Sequence, residues 1–295
     1  MNRRAWLELV AAGALLPAAG ACAPRAEEHR AMEQPSREPT ETLPVLFLAH
    51  GHPFVTKDAT WMGEWGAWAR ALPRPRAILM LSAHWTAAPL TIGATRTVPL
   101  VYDFYGFPEE FYRLQYPAPG APDVAARVRE LVGPKFGVAD APDRGLDHGV
   151  YVPLLGMYPR ADVPVLQASL PTMDPKPLFE IGRALAPLRR EGVLIVGSGF
   201  LTHNMRALRF EGGAPPSWAT EFDAWCEGVL ARRDVDALLD YKTKAPGAAI
   251  ALPTQEHFVP VIAAVGAALE EGGAVSFPIT GWNAGAFTKR SLQIG

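Results

Sequence analysis

The segment Val45-Leu-Phe-Leu-Ala-His50 carries the clearest strand pattern in this chain. Its five consecutive apolar residues are typical of a short strand that is buried on both faces of a parallel sheet. Comparable β-rich runs, each bounded by Pro, Gly or polar residues, occur at Ile78–Ser82, Val163–Ser169 and Val193–Val196. The sequence therefore predicts a set of buried, parallel strands.

Helical patterns alternate with these strands. Trp61, Trp65, Trp68 and Leu72 recur on one face of a predicted helix, and a stripe of this kind indicates core packing. Further predicted helices cover Asp123–Val132, Pro177–Arg190, Trp218–Arg232 and, capped by Thr254, about Gln255 to Glu270 with an end at Gly272 and Gly273. Since no repeat or linker occurs after Thr42, residues 43–295 are predicted to form one α/β domain with a central, largely parallel β-sheet flanked by helices.

The composition fits a soluble globular enzyme. The 295 residues carry a net charge of −2, so nothing indicates binding to nucleic acid or to a charged membrane surface. The two cysteines, Cys22 and Cys226, are too few for a disulfide framework or a thiolate metal site.

The first 22 residues are predicted to be a signal peptide. Arg3 and Arg4 precede an apolar stretch from Leu7 to Ala19 that is too short for a permanent membrane span, and the pattern resembles a twin-arginine export signal. Cys22 stands where a bacterial lipoprotein carries its acylated cysteine, although Ala19 replaces the usual leucine-like residue three positions earlier. An ordinary cleaved signal peptide with an incidental cysteine is the alternative.

Residues 23–42 are rich in Pro, Glu and Arg and are predicted to be a disordered linker. The N-terminal region as a whole predicts an exported protein, either periplasmic or anchored to a membrane by a lipid on Cys22. The oligomeric state is left open.

Five histidines each lie at the end of an apolar run, and these are His50, His84, His148, His203 and His257. Imidazole is the commonest protein metal ligand and a frequent general acid or base. One such histidine alone is more readily explained as a hydrogen-bonded, half-buried residue. Because an α/β sheet gathers its site at the carboxyl ends of its strands, the five together predict one metal site.

Six motifs occur in a characteristic order from Leu43 to the C-terminus. They are Leu48-Ala-His-Gly-His-Pro53, Ser82-Ala-His-Trp85, Tyr102-Asp-Phe-Tyr-Gly-Phe-Pro108, Gly145-Leu-Asp-His-Gly149, Gly197-Ser-Gly-Phe-Leu-Thr-His-Asn204 and Pro253-Thr-Gln-Glu-His-Phe258. In these motifs the chain resembles the DODA-type (4,5-DOPA-like) extradiol aromatic ring-opening dioxygenases of the class III, LigB-like superfamily. The resemblance implies an α/β fold with a single metal in a cleft.

The resemblance also implies roles for the five histidines. His50, His84 and His257 correspond to metal ligands, His203 to a fourth ligand or the catalytic base, and His148 to an acid/base residue. His52 departs from the family, which usually has a small residue there, so a sixth imidazole either enters the pocket or lies at its rim. The export signal is a second departure, since such relatives are mostly cytoplasmic.

Extradiol cleavage restricts the ligand set. A redox-active metal must leave three positions free for the two catechol oxygens and O2, and Fe(2+) held by three facial ligands meets this need. Glu256 could replace its neighbour His257 as the third ligand. If His203 binds metal at rest, it must leave when the aromatic diol arrives, and it is then free to act as a base. Zn(2+) readily occupies histidine sites and can be present in purified protein without supporting oxygenation.

Several neighbouring residues are candidates for supporting roles. Asp147 either orients His148 or forms a local turn, and Asn204 either orients His203 or contacts substrate. An aromatic loop either covers a planar substrate or is a packed surface loop; it contains Tyr102, Phe104, Tyr105 and Phe107.

The same residues bear on other classes of protein. Ser198 lacks the spacing of a nucleophile elbow, which argues against a serine hydrolase. A zinc-dependent hydrolase on the same scaffold and a non-catalytic binding protein are the alternatives, and the near-complete histidine set argues against the second.

Overall fold

The computed structural model describes residues 42–209, 211, 213–269 and 273–295. The predicted signal peptide with Cys22, the predicted linker apart from Thr42, and Gly272 at the predicted helix end lie outside the described residues. No helix among the described residues is long and apolar enough to cross a membrane.

Ten strands occur in the described part of the chain. They are β1 (Val45–Ala49), β2 (Ala77–Thr86), β3 (Leu90–Ile92), β4 (Val138–Asp140), β5 (Val165–Leu170), β6 (Val193–Gly199), β7 (Val275–Ile279), β8 (Trp282–Asn283), β9 (Phe287–Thr288) and β10 (Ser291–Ile294). The described helices are α1 (Ala59–Ala71), α2 (Pro122–Phe136), α3 (His148–Met157), α4 (Pro175–Leu185), α5 (Ser217–Arg232), α6 (Val235–Leu239), α7 (Tyr241–Lys244), α8 (Ala248–Ala251) and α9 (Val259–Ala268). Short 3-10 helices cover Pro53–Lys57, Glu109–Arg113, Ala186–Arg189 and Met205–Ala207.

Eight strands form one sheet in the order β4-β3-β5-β2-β6-β1-β10-β7. The four central strands β5, β2, β6 and β1 are parallel to one another. The antiparallel pairings join β3 to β5, β1 to β10 and β10 to β7, towards the two edges. The prediction of an α/β domain with a largely parallel central sheet is confirmed.

Both faces of the sheet are covered. Along β1, Val45 and Phe47 belong to a core cluster with α2, α4, α5 and α9, whereas Leu46 and Leu48 belong to a second cluster with α1 and α3. The tryptophan stripe of α1 is buried in that second cluster, as predicted. Strands that are buried on both faces explain the uninterrupted apolar runs in the sequence.

The helix near the C-terminus is shorter than predicted. It begins at Val259 rather than near Gln255, and Thr254 donates its hydroxyl to the Glu256 carboxylate instead of capping the helix. Pro260 occupies the first turn of α9, where its missing N–H needs no partner. His257 therefore lies in a turn before the helix.

Candidate functional site

Two of the five predicted histidines follow the strand-end pattern, and three do not. His50 directly follows β1 and His84 lies near the end of β2, with β6 between the two strands. His148 is the first residue of α3, His203 lies in the loop after β6, and His257 lies in the turn before α9. The five imidazoles nevertheless form one cluster.

Three imidazoles point the same nitrogen atom at a common centre. Nε2 of His84 lies 3.1 Å from Nε2 of His50 and 3.2 Å from Nε2 of His257. The rings are nearly inaccessible to solvent, since His50 and His257 are buried and the His84 side chain is 19% exposed.

The opposite nitrogen of each ring faces a hydrogen-bond acceptor. Nδ1 of His50 lies 2.9 Å from the Ser198 hydroxyl oxygen, and that hydroxyl donates its own proton to the carbonyl of Gly149. Nδ1 of His84 lies 3.2 Å from a carboxylate oxygen of Asp103, and Nδ1 of His257 lies 3.1 Å from Oε1 of Glu256. Because carboxylates only accept, each imidazole carries its proton on Nδ1 and a lone pair on Nε2.

Burial keeps these imidazoles neutral. It lowers the pKa of His50 and His257 well below the usual histidine value, with the neighbouring imidazoles as the second cause. Burial and His148 lower the pKa of His84 to about 3, against the opposing charge of Asp103. Neutral imidazole is the form that binds a metal.

The donor set fits a metal ion. The lone pair on Nε2 of His84 lies about 3 Å from those of His50 and His257, and such lone pairs repel one another unless a cation lies between them. A metal bound at about 2.1 Å by nitrogens at right angles separates those nitrogens by about 3.0 Å, which is close to the observed 3.1 and 3.2 Å. His50, His84 and His257 could therefore hold one metal ion through their Nε2 atoms.

His203 stands apart from this convergence. Its ring stacks on His257 with centroids 3.4 Å apart and planes 8° apart, and its Nδ1 is 4.0 Å from Oε1 of Glu256. The His203 ring is thus stacked face to face with the ring of a candidate ligand. Burial lowers the pKa of His203 to about 4, with Glu256 opposing and His148 adding to the shift.

Two groups of possible ligand atoms occur among the described residues, with the atoms of each group within 4.8 Å of one another. One group is His50, His84 and His148, and the other is His203, Glu256 and His257. The Nε2 contacts of His84 with His50 and with His257 join the two groups.

His148 is oriented by a residue that the sequence did not single out. Its Nδ1 is 2.8 Å from Oδ1 of Asp103, and its backbone N–H donates to the same oxygen over 3.1 Å. Asp147, the sequence neighbour considered for that role, instead accepts a hydrogen bond from Ser82 at 2.8 Å and another from Gln167. Asp103 lies in the aromatic motif Tyr102–Pro108, 45 positions before His148. No local sequence pattern links the two residues, so the sequence did not predict their contact.

Two glycines permit the close packing of the cluster. A Cβ atom on Gly149 would lie 2.5 Å from the Ser82 hydroxyl and 3.2 Å from Nδ1 of His50. A Cβ atom on Gly199 would lie 2.0 Å from the carbonyl oxygen of His257, which accepts a backbone hydrogen bond from Phe200. In the Gly197-Ser-Gly199 and His148-Gly149 motifs, Gly199 and Gly149 leave room for close packing, and Ser198 contacts Nδ1 of His50.

Residues around the cluster complete its walls. Phe104 packs edge-on against His148 with centroids 5.8 Å apart, whereas Tyr105 of the same loop is 92% exposed. Asn204 caps the short 3-10 helix after it and donates to the carbonyl of Ile250, so it orients backbone rather than His203. His52 is partly buried near the cluster, and burial is the main cause of its lowered pKa, with Asn283 opposing and His148 adding.

A cavity of about 570 Å³ opens beside the cluster. His84 and Glu256 lie on its wall together with Thr86, Leu170, Thr172 and Met173.

Known proteins are similar to this chain over most of its length. Residues 44–285 match the model of the catalytic LigB subunit of aromatic ring-opening dioxygenase. The chain belongs to this family. It is 36% identical over 262 residues to the 4,5-DOPA dioxygenase extradiol of Escherichia coli (strain K12), covering 86% of this chain and 95% of that protein. It is 40% identical over 239 residues to the 4,5-DOPA dioxygenase extradiol of Beta vulgaris, covering 78% and 88%.

The fold of this LigB family member also matches a solved structure. The crystal structure of an uncharacterised protein from Escherichia coli K12 superimposes with a TM-score of 0.74 at 34% sequence identity, covering 86% of this chain and all of that one. The predicted family is confirmed, and the protein is a metal-dependent, non-haem extradiol ring-cleaving dioxygenase. The hydrolase and the non-catalytic alternatives are not favoured.

Proposed function

We propose that this LigB family member cleaves a catechol-type aromatic diol with O2, using Fe(2+) held by His50, His84 and His257. The convergence of three unprotonated Nε2 atoms carries the proposal, because each opposite Nδ1 donates to an acceptor. Iron supplies redox chemistry between the diol and O2, which zinc cannot supply. Relatives named 4,5-DOPA dioxygenase extradiol support a catechol as the substrate class.

In this proposal His203 acts as the base that takes a proton from the diol. Its parallel stacking on His257 favours a proton-transfer role over a fourth ligand position. Burial lowers the pKa of His203 to about 4, against the charge of Glu256, so the ring is neutral and has one unprotonated nitrogen.

His148 acts as an acid/base residue that takes a proton from the diol on Nε2 and returns it to the opening ring. Its Nδ1 proton is held by Asp103, which leaves Nε2 as the nitrogen that exchanges protons. Phe104 beside it and the cavity beside His84 and Glu256 offer a flat wall and room for a ring substituent.

Anaerobic reconstitution tests the metal and the reaction together. Metal-free protein loaded with Fe(2+) is expected to convert catechols to yellow ring-opened products with uptake of O2, and the same protein loaded with Zn(2+) is expected to be inactive. Equal activity with both metals, or turnover without O2, would contradict the proposal.

The third ligand needs a separate comparison. Glu256 accepts the Nδ1 proton of His257, which supports an orienting role for the carboxylate. His257→Ala is expected to abolish stoichiometric Fe(2+) binding, whereas Glu256→Gln is expected to weaken it by about 10- to 100-fold. The reverse order would make Glu256 the ligand.

We also propose that the mature protein is exported and anchored by a lipid on Cys22, as Arg3, Arg4 and the short apolar stretch suggest. Replacing both arginines with lysine is expected to stop export, and Cys22→Ala to release the protein from membranes. Mass spectrometry of the mature N-terminus decides: an unmodified N-terminus elsewhere refutes the anchor, and an intact Met1 in the cytosol refutes export.

A further inference from the structure

We propose that Asp103 is a positioning residue that fixes a metal-ligand imidazole, His84, and the acid/base imidazole, His148, with the two oxygens of one carboxylate. The inference rests on the roles proposed above for these two histidines. Nothing in the local sequence around either histidine supplies this partner.

Each oxygen of the Asp103 carboxylate contacts a different imidazole. Oδ2 lies 3.2 Å from Nδ1 of His84, and Oδ1 lies 2.8 Å from Nδ1 of His148. Oδ1 also accepts the backbone N–H of His148 over 3.1 Å, so it fixes the start of α3 as well as the ring. The two imidazole centroids are 3.9 Å apart, which makes a common partner possible.

A carboxylate is required because both oxygens must accept. Nδ1 of His148 is hydrogen-bonded to one oxygen and Nδ1 of His84 lies 3.2 Å from the other. An amide at this position could accept from one ring but would present an N–H group to the other. With the carboxylate, both rings are held in the tautomer that leaves Nε2 unprotonated on the side of the cluster. Burial acts to raise the pKa of Asp103, but the His148 hydrogen bond and the two imidazoles hold that pKa below its usual value.

The loop around Asp103 is held from both sides, so the carboxylate has a defined position. The Val101 N–H donates to the carbonyl of Leu146 over 2.9 Å, and the Tyr102 hydroxyl donates to the carbonyl of Leu114 over 2.7 Å. Phe104 packs against His148 on the other side. The aromatic loop thus contributes to the alignment of the site itself, in addition to any part in covering substrate.

Other charged groups near the cluster have different partners. Asp147 is buried among Ser82, Gln167 and Arg144, and Glu256 contacts Nδ1 of His257. Neither would replace Asp103 if its carboxylate were removed.

The first test measures metal binding rather than activity. Asp103→Asn is expected to weaken Zn(2+) or Fe(2+) binding by about 10- to 100-fold in a competition titration with a chelator, because a ligand imidazole loses its orienting partner. Glu110→Gln is the matched control: Glu110 lies near the same loop but pairs with the exposed Lys57, and its removal is expected to leave metal affinity unchanged.

The second test uses the imidazole nitrogens of the metal-free protein. In long-range ¹H–¹⁵N spectra the wild type is expected to show His84 and His148 with the proton on Nδ1. Asp103→Asn is expected to convert one of the two rings to a tautomer mixture, and Asp103→Ala both. With saturating Fe(2+), Asp103→Asn is expected to lower kcat at least tenfold with a smaller change in KM.

A purely structural role would give a different pattern. Reduced thermal stability in Asp103→Asn and Asp103→Ala, with tautomers, metal affinity and kcat all within twofold of wild type, would overturn the inference. If the wild type fails to cleave catechols, the proposed function fails, whereas the tautomer and metal-affinity measurements still decide whether Asp103 positions the two rings.

Discussion

The hydroxyl of Ser198 determines which nitrogen of His50 carries a proton. Because the hydroxyl donates to the Gly149 carbonyl, its oxygen is left to accept from Nδ1 of His50. Asp103 and Glu256 act in the same way on His84 and His257. Three different partners therefore leave Nε2 of each ring free to bind a metal. This shared orientation indicates a metal centre more strongly than the number of histidines does.

Loss of a converging imidazole should remove the metal. His50→Ala and His84→Ala are each expected to abolish stoichiometric metal binding and activity while leaving a folded domain, because two nitrogens cannot complete the facial set. Metal analysis and circular dichroism measure the two properties. His52→Ala is the matched control, since His52 lies near the cluster outside the converging set, and it should retain the metal. Full metal content in both of the first two variants would disprove the ligand assignment.

The proton-transfer residues should separate binding from turnover. His203→Ala and His148→Ala are expected to bind Fe(2+) and catechol but to lose turnover by about a hundredfold or more. His203→Ala should also lower metal affinity more than His148→Ala, because the His203 ring stacks directly on the ligand His257. Wild-type cleavage rates in both variants would show that neither residue transfers a proton in the rate-limiting step.

Among the elements, α3 connects the site to the core. Its first residue is His148, and its second, Gly149, leaves room for His50 and Ser82. The helix is buried on almost every side, so it shows no polar face and little helical periodicity. Val150 and Val152 are β-branched, and Pro153 lies inside the helix. Because these residues are unfavourable in helices, the sequence did not predict α3.

A methyl group at Gly149 should disturb this packing. Gly149→Ala would place a Cβ atom 2.5 Å from the Ser82 hydroxyl and 3.2 Å from Nδ1 of His50, so we expect a loss of about 1–3 kcal/mol in the free energy of unfolding and weaker metal binding. Gly63→Ala in α1 is the matched control, because no atom lies within 4 Å of its Cβ position and the change should stabilise the helix by about 0.5–1 kcal/mol. Equal urea-unfolding curves for the two variants would contradict the packing argument.

The sequence predicted the central elements better than the edges. Strands β1, β2, β5 and β6 are buried on both faces and read as apolar runs, and the predicted strands overlap each of them. The short strands β3 and β4 and the C-terminal strands β7 to β10 were not predicted, because runs of two to five residues are too short to give a clear pattern. The same limit applies to the site: the histidines stand out in the sequence, whereas Asp103 is brought to them only by the tertiary fold.

At the scale of the whole molecule, the parallel centre of the sheet brings distant parts of the chain together. The carboxyl ends of β1, β6 and β2 lie side by side, so His50, Ser198 and His84 meet although up to 148 positions separate hydrogen-bonded partners. The backbone N–H of Phe200, after β6, donates to the carbonyl of His257 over 2.8 Å. This hydrogen bond holds the turn before α9 next to the carboxyl end of β6. Folding of the sheet thus assembles the cluster, and the buried imidazoles link its stability to pH.

The metal-free protein should lose stability as the pH falls below about 6.5. The pKa values of His50 and His257 are well below the unfolded value, and burial lowers those of His84 and His203 to about 3 and about 4. A depressed folded pKa means that the unfolded chain binds protons first, so the stabilisation present above about pH 6.5 is lost between there and about pH 4. Each such imidazole contributes a slope of about 1.4 kcal/mol per pH unit in that window.

The carboxyl groups of the site do not reverse this trend. Burial and the charge of Asp103 raise the pKa of Asp147, so that group acts in the opposite direction, but it is one group against four imidazoles. Urea unfolding of metal-free protein at pH 8, 6.5 and 5.5 is expected to give a free energy that is nearly constant above pH 7 and falls steeply below 6.5. His84→Ala should reduce the slope by about one imidazole's share, or 1.4 kcal/mol per pH unit. A free energy that stays constant between pH 7 and 5 would mean that the folded and unfolded chains bind equal numbers of protons in this range, and would contradict the lowered pKa values of the buried imidazoles.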